Sequence, residues 1–415
     1  MRDDPPTPRT PIDRPAPVRA GEELDREALL AYLRARPAGP TGGPTGRGDT
    51  PPVERLEIEQ FPAGYSNLTY LVRLIHPEGS RELVLRRPPF GSDVATAHDM
   101  AREHRILSAL QGVYPKAPRP LLYCDDPSVL GAPFYLMERV RGVILRGGPG
   151  SGSGGGSGPE SGPESASNRA PGDDARRSLT EAFVDAFAEL HAVDTEAAGL
   201  SGLGRPEGYV ERQVRGWAER YRAARTEDVA EVERTADWLI ARLGERRSRP
   251  AGPPPAALIH NDFKLDNLVL TPESLAPDGA SGRPEILAVL DWEMATVGDP
   301  LMDLGSSLAY WIAADDPAEL RLAPVPRLTA EPGSLSRREV VERYERRTGR
   351  TVDDPVFYYA YGQLKLAGIL QQIYARYHRG ATSDPRFAGL PPLIRACGRA
   401  AERAVRRERI DRLTS

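Results

Sequence analysis

The sequence predicts an α+β fold in which a small strand-rich half precedes a larger helical half. The chain of 415 residues is too long for one small core, so two lobes, or one domain with large additions, are expected. Apolar and polar residues alternate within residues 53–90, which is typical of strands. Beyond residue 178 the apolar residues recur at helical spacing instead.

The N-terminal region precedes this fold. Residues 1–20 are rich in Pro, Arg and Asp, a composition that predicts a disordered tail. Residues 21–52 are expected to form a helix and a linker: the helix lies within residues 22–35, and Pro-Thr-Gly recurs in residues 36–52.

The strand-rich lobe, with its hinge, is expected over residues 53–141. Strands are predicted at residues 55–61, 67–74, 83–87 and 134–140, and a helix at residues 97–110. One face of that helix carries Met100, Glu103, Leu107 and Leu110. Glu103 is therefore a charged residue on an otherwise apolar stripe.

A flexible insertion is expected at residues 142–177, because residues 147–175 are rich in Gly, Ser, Pro and Glu. Residues 178–415 are assigned to the helical lobe. Helices are predicted there at residues 179–192, 209–224 and 230–246, and several more after residue 300.

Composition argues against several classes of partner. The formal net charge of −4 supplies no cationic field for nucleic acid. No apolar run approaches the ~18 residues of a membrane span, and residues 1–6 lack an apolar signal core. Only Cys124 and Cys397 are present, which favours the reducing cytoplasm over a disulfide framework. The oligomeric state cannot be read from the sequence.

Two short segments carry candidate chemistry: His-Asn-Asp-Phe-Lys-Leu-Asp-Asn at residues 260–267 and Val-Leu-Asp-Trp-Glu at residues 289–293. Asp262 is the candidate base, or the group that orients an acceptor hydroxyl. Asn267 and Asp291 are candidate Mg²⁺ ligands. Kinase folds present a base, an amide ligand and a carboxylate ligand in this order. Each residue alone fits an Asx turn or a strand end, but the ordered trio favours an ATP-dependent phosphotransferase.

Lysine is rare in this chain. Only Lys116, Lys264 and Lys365 occur among 55 lysines and arginines. Lys264 lies two residues after Asp262, where a compact ammonium could reach the γ-phosphate as charge develops. The alternative is that one of three lysines fell there by chance.

Neighbouring polar residues are assigned other roles. His260 is expected to brace its loop through hydrogen bonds, because no second His or Cys lies at metal-ligand spacing. Asp303 is expected to accept backbone N–H groups of the loop, and Asp299 to cap the helix that follows it. Glu293 would face the same side as Asp291 on an extended chain, as a further metal or substrate contact.

These segments resemble the aminoglycoside phosphotransferase / choline kinase-like family, and most closely the branch whose kinase domain is fused to some acyl-CoA dehydrogenases. The match rests on four stretches: Phe-Pro-Ala-Gly-Tyr-Ser-Asn-Leu-Thr-Tyr (61–70), Leu-Val-Leu-Arg-Arg-Pro-Pro (83–89), residues 260–267, and Asp-Trp-Glu-Met-Ala-Thr-Val-Gly-Asp-Pro-Leu-Met-Asp-Leu-Gly (291–305). The resemblance covers roughly residues 50–390 apart from the glycine-rich insertion. It implies a protein-kinase-like fold with two lobes.

The resemblance also implies that ATP binds between the lobes. Residues 61–68 would form the loop over the phosphates, with Ser66 in contact; an ordinary hairpin turn is the alternative. Residues 137–140 would form the hinge, where the main chain of Glu138 and Val140 pairs with adenine. The alternative is that these residues only form a core strand. The two interpretations are compatible, because the hinge contacts use the main chain.

One residue departs from the family pattern. The third strand should offer a lysine to the nucleotide phosphates, but Arg86 stands there. Glu103 is its natural partner, because an unpaired carboxylate on an apolar stripe would be costly. Arginine also binds phosphate well, so the substitution is compatible with activity.

The sequence therefore predicts transfer of the γ-phosphate of ATP, with Mg²⁺, to a hydroxyl of a small molecule. A hydroxyacyl thioester, a sugar, an amino alcohol and an aminoglycoside all remain open as acceptors. The alternative is a catalytically silent nucleotide-binding or regulatory module, which Arg86 keeps open.

Overall fold

The structure is a computed structural model that describes residues 14–36, 53–61, 67–90, 100–147, 171–247, 256–275, 284–322, 325–382 and 384–414. Two compact units are present. The first comprises the chain up to Val143 together with Leu287–Glu293, and the second comprises Ile144–Ile286 and Met294–Ser415. Asp291 therefore belongs to the first unit, although it follows the predicted catalytic loop in sequence.

The first unit is built on a five-stranded antiparallel sheet with the order β1-β2-β3-β5-β4. Its strands are β1 (Arg55–Gln60), β2 (Leu68–His76), β3 (Gly79–Arg87), β4 (Pro120–Cys124) and β5 (Phe134–Glu138). β2 and β3 form a hairpin whose register pairs Thr69 with Arg86. β4 was not among the predicted strands.

Helices α1 (Arg26–Arg34), α2 (Met100–Ala109) and α3 (Pro127–Leu130) complete this unit. Asp25 caps α1 by accepting from the Ala28 backbone N–H. The predicted disorder of residues 1–20 is wrong for the described part of that segment, because Ala16 and Gln60 exchange two backbone hydrogen bonds of 2.8 Å. Residues 1–13 lie outside the described ranges.

The second unit is mainly helical. Its helices are α4 (Asp173–His191), α5 (Tyr209–Ala224), α6 (Ala230–Arg247), α7 (Pro300–Tyr310), α8 (Arg337–Thr348), α9 (Pro355–His378) and α10 (Leu390–Arg407). Its short strands are β6 (Ala257–Ile259), β7 (Leu268–Leu270) and β9 (Thr296–Gly298); β8 (Ile286–Val289) begins in this unit. β6 and β9 pair antiparallel. No helix within the described ranges is long and apolar enough to cross a membrane.

The C-terminal part of the predicted insertion is helical rather than flexible. α4 begins at Asp173, and Asp173 and Asp174 place negative charge in its first turn, where the helix dipole favours it. Residues 148–170 of the predicted insertion lie outside the described ranges.

Helices α7 and α9 approach each other closely at two glycines. A Cβ atom on Gly305 would lie 2.1 Å from the carbonyl oxygen of Tyr358, and one on Gly362 would lie 2.0 Å from the carbonyl oxygen of Gly305. Only glycine fits at such a backbone contact. The crossing brings the polar side chains of both helices to the loop that follows β6.

Candidate active site

The segment from His260 to Asn267, here the catalytic loop, connects β6 to β7. Its backbone is held by Asp303, which is fully buried in α7. The Asp303 carboxylate accepts hydrogen bonds from the backbone N–H groups of His260, at 2.6 Å, and Asn261, at 2.8 Å. The predicted role of Asp303 is confirmed, and so is that of Asp299, which caps α7 by accepting from Leu301 N at 2.8 Å.

The Asp303 carboxylate remains ionised despite its burial. Burial alone would raise the pKa of Asp303, but hydrogen bonding and charge from His191, with smaller contributions from His260 and Lys365, hold it below its ordinary value. His191 Nε2 lies 3.3 Å from Asp303 Oδ2, and its Nδ1 lies 2.7 Å from the hydroxyl of Tyr344. A buried polar network thus fixes the anchor of the loop.

Asn261 adopts a left-handed backbone conformation with φ of 65°. Its side-chain amide donates to Met294 O at 3.1 Å, and its side-chain oxygen accepts from the Tyr209 hydroxyl at 3.3 Å. Lys365 Nζ donates to its backbone carbonyl at 2.6 Å. Asn is among the few non-glycine residues that tolerate this conformation, and these contacts fix the turn that leads into Asp262.

Asp262 lies between two residues of its own loop. Asn267 Nδ2 is 3.0 Å from Asp262 Oδ2 and also donates to the Asp262 backbone carbonyl at 2.8 Å. Lys264 Nζ is 3.2 Å from the same carboxylate oxygen. His260 braces the loop as predicted, because its Nδ1 accepts from Asp262 N at 3.3 Å. The structure therefore brings Asp262, Lys264 and Asn267 together.

The contacts of Asn267 fix the orientation of its side-chain amide. Its nitrogen is committed to Asp262, which directs the side-chain oxygen away from that carboxylate. A neutral amide oxygen is a hard donor of the kind that Mg²⁺ accepts. Its role as a metal ligand stays a prediction.

Lys264 is held as a charged ammonium. Burial alone would lower the pKa of Lys264, but the Asp262 and Asp266 carboxylates raise it well above its ordinary value. Its Nζ lies 3.7 Å from Asp266 and 5.0 Å from the ring centroid of Tyr310, a cation–π distance. Sequence reasoning did not identify Tyr310.

One face of α7 contacts the catalytic loop and Lys365. Asp303, Ser306, Ser307 and Tyr310 lie at i, i+3, i+4 and i+7, the spacing of a single helical stripe. Ser307 donates to Phe263 O at 2.7 Å, and Ser306 Oγ lies 3.2 Å from Lys365 Nζ. Ser306, Ser307 and Tyr310 were not identified from the sequence. Their helical spacing from Asp303, on an otherwise apolar helix, is the pattern that could have indicated them.

Arg86 joins two carboxylates within the first unit. Its Nη1 donates to Glu103 Oε1 at 2.8 Å, so the predicted Arg86–Glu103 pair is present, and its Nη2 donates to Asp291 Oδ1 at 2.9 Å. Burial alone would lower the pKa of Arg86, but Glu103 and the neighbouring acidic groups raise it well above its ordinary value. Trp292 N also donates to Glu103 Oε1, at 3.2 Å. The contact with Asp291 was not predicted.

The geometry expected for Glu293 is wrong. Trp292–Met294 forms one turn of 3₁₀-helix instead of an extended strand, and Asp291 before it has φ of 68°. Glu293 nevertheless lies 3.7 Å from Arg86 Nη2, and it accepts from Asn67 Nδ2 at 2.8 Å.

The remaining nucleotide-binding residues stay predictions. Ser66 lies outside the described residues. Glu138 ends β5, and its backbone N–H donates to the Arg119 carbonyl at 2.9 Å. That N–H is therefore occupied, and any hinge contact at Glu138 would use its carbonyl oxygen. Val140 follows the strand and is partly buried.

Comparison with known proteins defines the class. The model of the phosphotransferase enzyme family (APH) matches residues 57–323, more than half of the chain. The chain belongs to this family.

Among similar curated proteins, mouse acyl-CoA dehydrogenase family member 10 is 34% identical over 374 residues, which cover 89% of this chain and 30% of that protein. Human acyl-CoA dehydrogenase family member 11 is 32% identical over 333 residues, or 79% of this chain and 37% of that protein. The chain thus spans about a third of the length of these relatives.

Solved structures confirm the protein-kinase-like α+β fold, with its antiparallel strand-rich lobe and helical lobe. A Ralstonia eutropha protein assigned by its name to the aminoglycoside phosphotransferases is 28% identical, with a TM-score of 0.65 and coverage of 92% of this chain and 99% of that one. Choline kinase from Cryptosporidium parvum is 13% identical, with a TM-score of 0.50 and coverage of 92% and 97%, and shows the fold alone.

Proposed function

We propose that the protein transfers the γ-phosphate of ATP to a hydroxyl of a small molecule, with Mg²⁺ as the metal. Family membership supports a phosphotransferase. The observation that carries the proposal is the Asp262 carboxylate, which contacts Lys264 and Asn267 on a loop whose backbone is anchored by Asp303. A carboxylate with a fixed orientation is what alignment of an acceptor hydroxyl requires.

In this proposal each residue of the catalytic loop has a separate role. Asp262 orients the acceptor hydroxyl and accepts its proton. Lys264, kept charged by Asp262 and Asp266, neutralises charge on the transferred phosphoryl group. MgATP, when bound, supplies the phosphoryl group and the neutralisation of its oxygens. Asn267 and Asp291 are the proposed metal ligands, a short set that suits Mg²⁺ because this ion retains waters and phosphate oxygens.

Arg86 is proposed to contact the nucleotide phosphates in place of lysine. Glu103 holds one side of the guanidinium, and Arg86 remains charged under all ordinary conditions. Ser66 and the main chain of Glu138 and Val140 are the further proposed nucleotide contacts, on the basis of the family resemblance.

A silent nucleotide-binding module is the second candidate, and a specific contact favours it. Arg86 Nη2 already pairs with Asp291, the carboxylate that the enzyme needs for its metal. If that pair persists with nucleotide bound, Asp291 is less available as a ligand, and binding without transfer would result.

Release of ADP separates the two candidates. The chain is incubated with MgATP and a panel of hydroxylated metabolites that covers thioesters, sugars, amino alcohols and aminoglycosides, and the same reactions are repeated with EDTA. The proposal expects ADP release that depends on one acceptor class and on the metal. The names of the curated relatives give hydroxyacyl thioesters priority in the panel. Nucleotide binding without acceptor-dependent ADP release would favour the silent module. The cytoplasmic location also remains a proposal.

A further inference from the structure

Lys365 is a buried cation in the middle of α9. The residue is 3% exposed. Its Nζ donates to the Asn261 carbonyl at 2.6 Å and lies 3.2 Å from Ser306 Oγ and 3.5 Å from Asn261 Oδ1. Within the described ranges its ammonium forms no direct ion pair with a carboxylate; its closest partners are neutral oxygens.

This arrangement is costly for a residue that only fills space. Desolvation penalises a buried charge, and an apolar side chain of similar length would fill the same volume without that penalty. Burial lowers the pKa of Lys365 to about 8, although Asp303 and Asp262 oppose the shift. Of the 55 lysines and arginines in the chain, 52 are arginine, so a lysine at this position is unusual for this sequence.

The contacts of Lys365 indicate what offsets the penalty. It binds the carbonyl of Asn261, the left-handed residue directly before Asp262. The peptide group that joins Asn261 to Asp262 is therefore held at both of its polar atoms: Lys365 donates to its carbonyl, and His260 Nδ1 accepts its N–H, which belongs to Asp262, at 3.3 Å. Rotation of this peptide group would turn the Asp262 carboxylate.

We propose that Lys365 is a positioning residue that fixes the Asn261–Asp262 peptide group and so sets the orientation of the Asp262 carboxylate. Its effect on turnover rests on the proposed phosphotransferase function, whereas its effect on the loop does not. The close crossing of α7 and α9 at Gly305 and Gly362 brings the lysine within reach of the loop.

The test compares Lys365→Met, Lys365→Arg and the control Gln371→Met. Gln371 is also buried in α9, where it donates to Ala224 O and Thr226 Oγ1, both at 3.0 Å and outside the catalytic loop. Two quantities are measured: hydrogen exchange of loop amides in the ligand-free protein, and kcat and KM for ATP with the best acceptor of the panel.

For Lys365→Met we expect faster exchange within residues 260–264 and a fall in kcat of about 100-fold, with KM for ATP changed less than about threefold, because a misplaced catalytic group slows the chemical step. Lys365→Arg, which keeps the charge and the donors, should restore kcat to within about tenfold of the wild type. Gln371→Met should leave both loop exchange and kcat near their wild-type values.

Unchanged loop exchange in Lys365→Met would overturn the inference, and so would an equal loss of kcat in Gln371→Met. If the wild type transfers no phosphate to any acceptor, the exchange data alone decide the inference, while the proposed function fails separately. Lys365→Leu, which also removes the donor, takes the place of Lys365→Met if the latter does not fold, with the same two outcomes.

Discussion

Arg86 and Glu103 form a buried ion pair in which Nη1 and Oε1 are 2.8 Å apart. The Arg86 side chain is 8% exposed and that of Glu103 is 1% exposed. The same guanidinium contacts Asp291 through its other terminal nitrogen. The planar fork of arginine therefore links a helix residue to the proposed metal ligand, a geometry that a single lysine ammonium reproduces poorly.

Removal of the Glu103 charge should weaken both stability and nucleotide binding. Glu103→Ala leaves Arg86 buried without its main partner, so the free energy of unfolding should fall by about 3–5 kcal/mol and KM for ATP should rise. Urea unfolding and ATP titration measure the two effects. Glu57→Ala is the control, because Glu57 pairs with Arg73 at the surface of the same sheet. If Glu103→Ala leaves KM for ATP and turnover unchanged, the pair has no role in function.

Substitution of Arg86 separates charge from geometry. Arg86→Lys keeps a cation but cannot hold both Glu103 and Asp291 with the same two-pronged contact. We expect Arg86→Lys to retain ATP affinity within about tenfold, and Arg86→Met to lose at least about 100-fold, since phosphate contacts are charge-assisted. Affinity is measured by calorimetric titration with MgATP. Wild-type affinity in Arg86→Met would exclude Arg86 from the nucleotide site.

Tyr310 contacts the loop through its ring and through its hydroxyl, which donates a hydrogen bond to the Asp262 carboxylate. Lys264 Nζ lies over this ring at 5.0 Å, and burial beside the Asp262 and Asp266 carboxylates raises the pKa of Tyr310, so the hydroxyl remains protonated. Tyr310→Phe preserves the cation–π contact, whereas Tyr310→Leu removes it, and Leu should lower kcat by about 3- to 30-fold more than Phe. Steady-state kinetics with a saturating acceptor tests this. Equal rates in the two variants would show that the ring does not position Lys264.

Lys365 should make stability depend on alkaline pH. Burial lowers its pKa from the ordinary 10.5 to about 8 in the folded chain; the Asp303 and Asp262 carboxylates oppose this shift, and the Lys264 and Arg220 cations add to it. Between these values the unfolded state binds more protons, so the free energy of unfolding should rise with pH by up to about 3 kcal/mol. Below pH 8 this gain is absent. Urea unfolding of the wild type and Lys365→Met from pH 7 to 10 isolates the effect, and parallel curves would contradict it.

Contacts between polar groups and their nearby partners within the site could be predicted from the sequence. Asp303 and Asp299 could be assigned because a carboxylate at the start of a helix has few alternatives to backbone donors. The Arg86–Glu103 pair followed from one misplaced charge on an apolar stripe, and the structure contains it. In each case the cost of an unsatisfied polar group identified the partner.

Contacts between distant segments could not be predicted in this way. Lys365 is 104 residues from Asn261, and Arg86 is 205 residues from Asp291. No periodic pattern of residues in the sequence indicates contacts over such separations. The turn at Glu293 was missed because the positive φ of Asp291 interrupts the extended chain that the pattern suggested. Tyr310 was not identified, since its role depends on the position of Lys264.

The central claim is that Asp262 acts in phosphoryl transfer, and Asp262→Asn tests it most directly. Asparagine is isosteric but cannot accept the proton, so acceptor-dependent ADP release should fall by at least about 100-fold. Calorimetric titration should give an MgATP affinity within about threefold of the wild type. A variant that binds MgATP normally and still releases ADP at the wild-type rate would contradict the account.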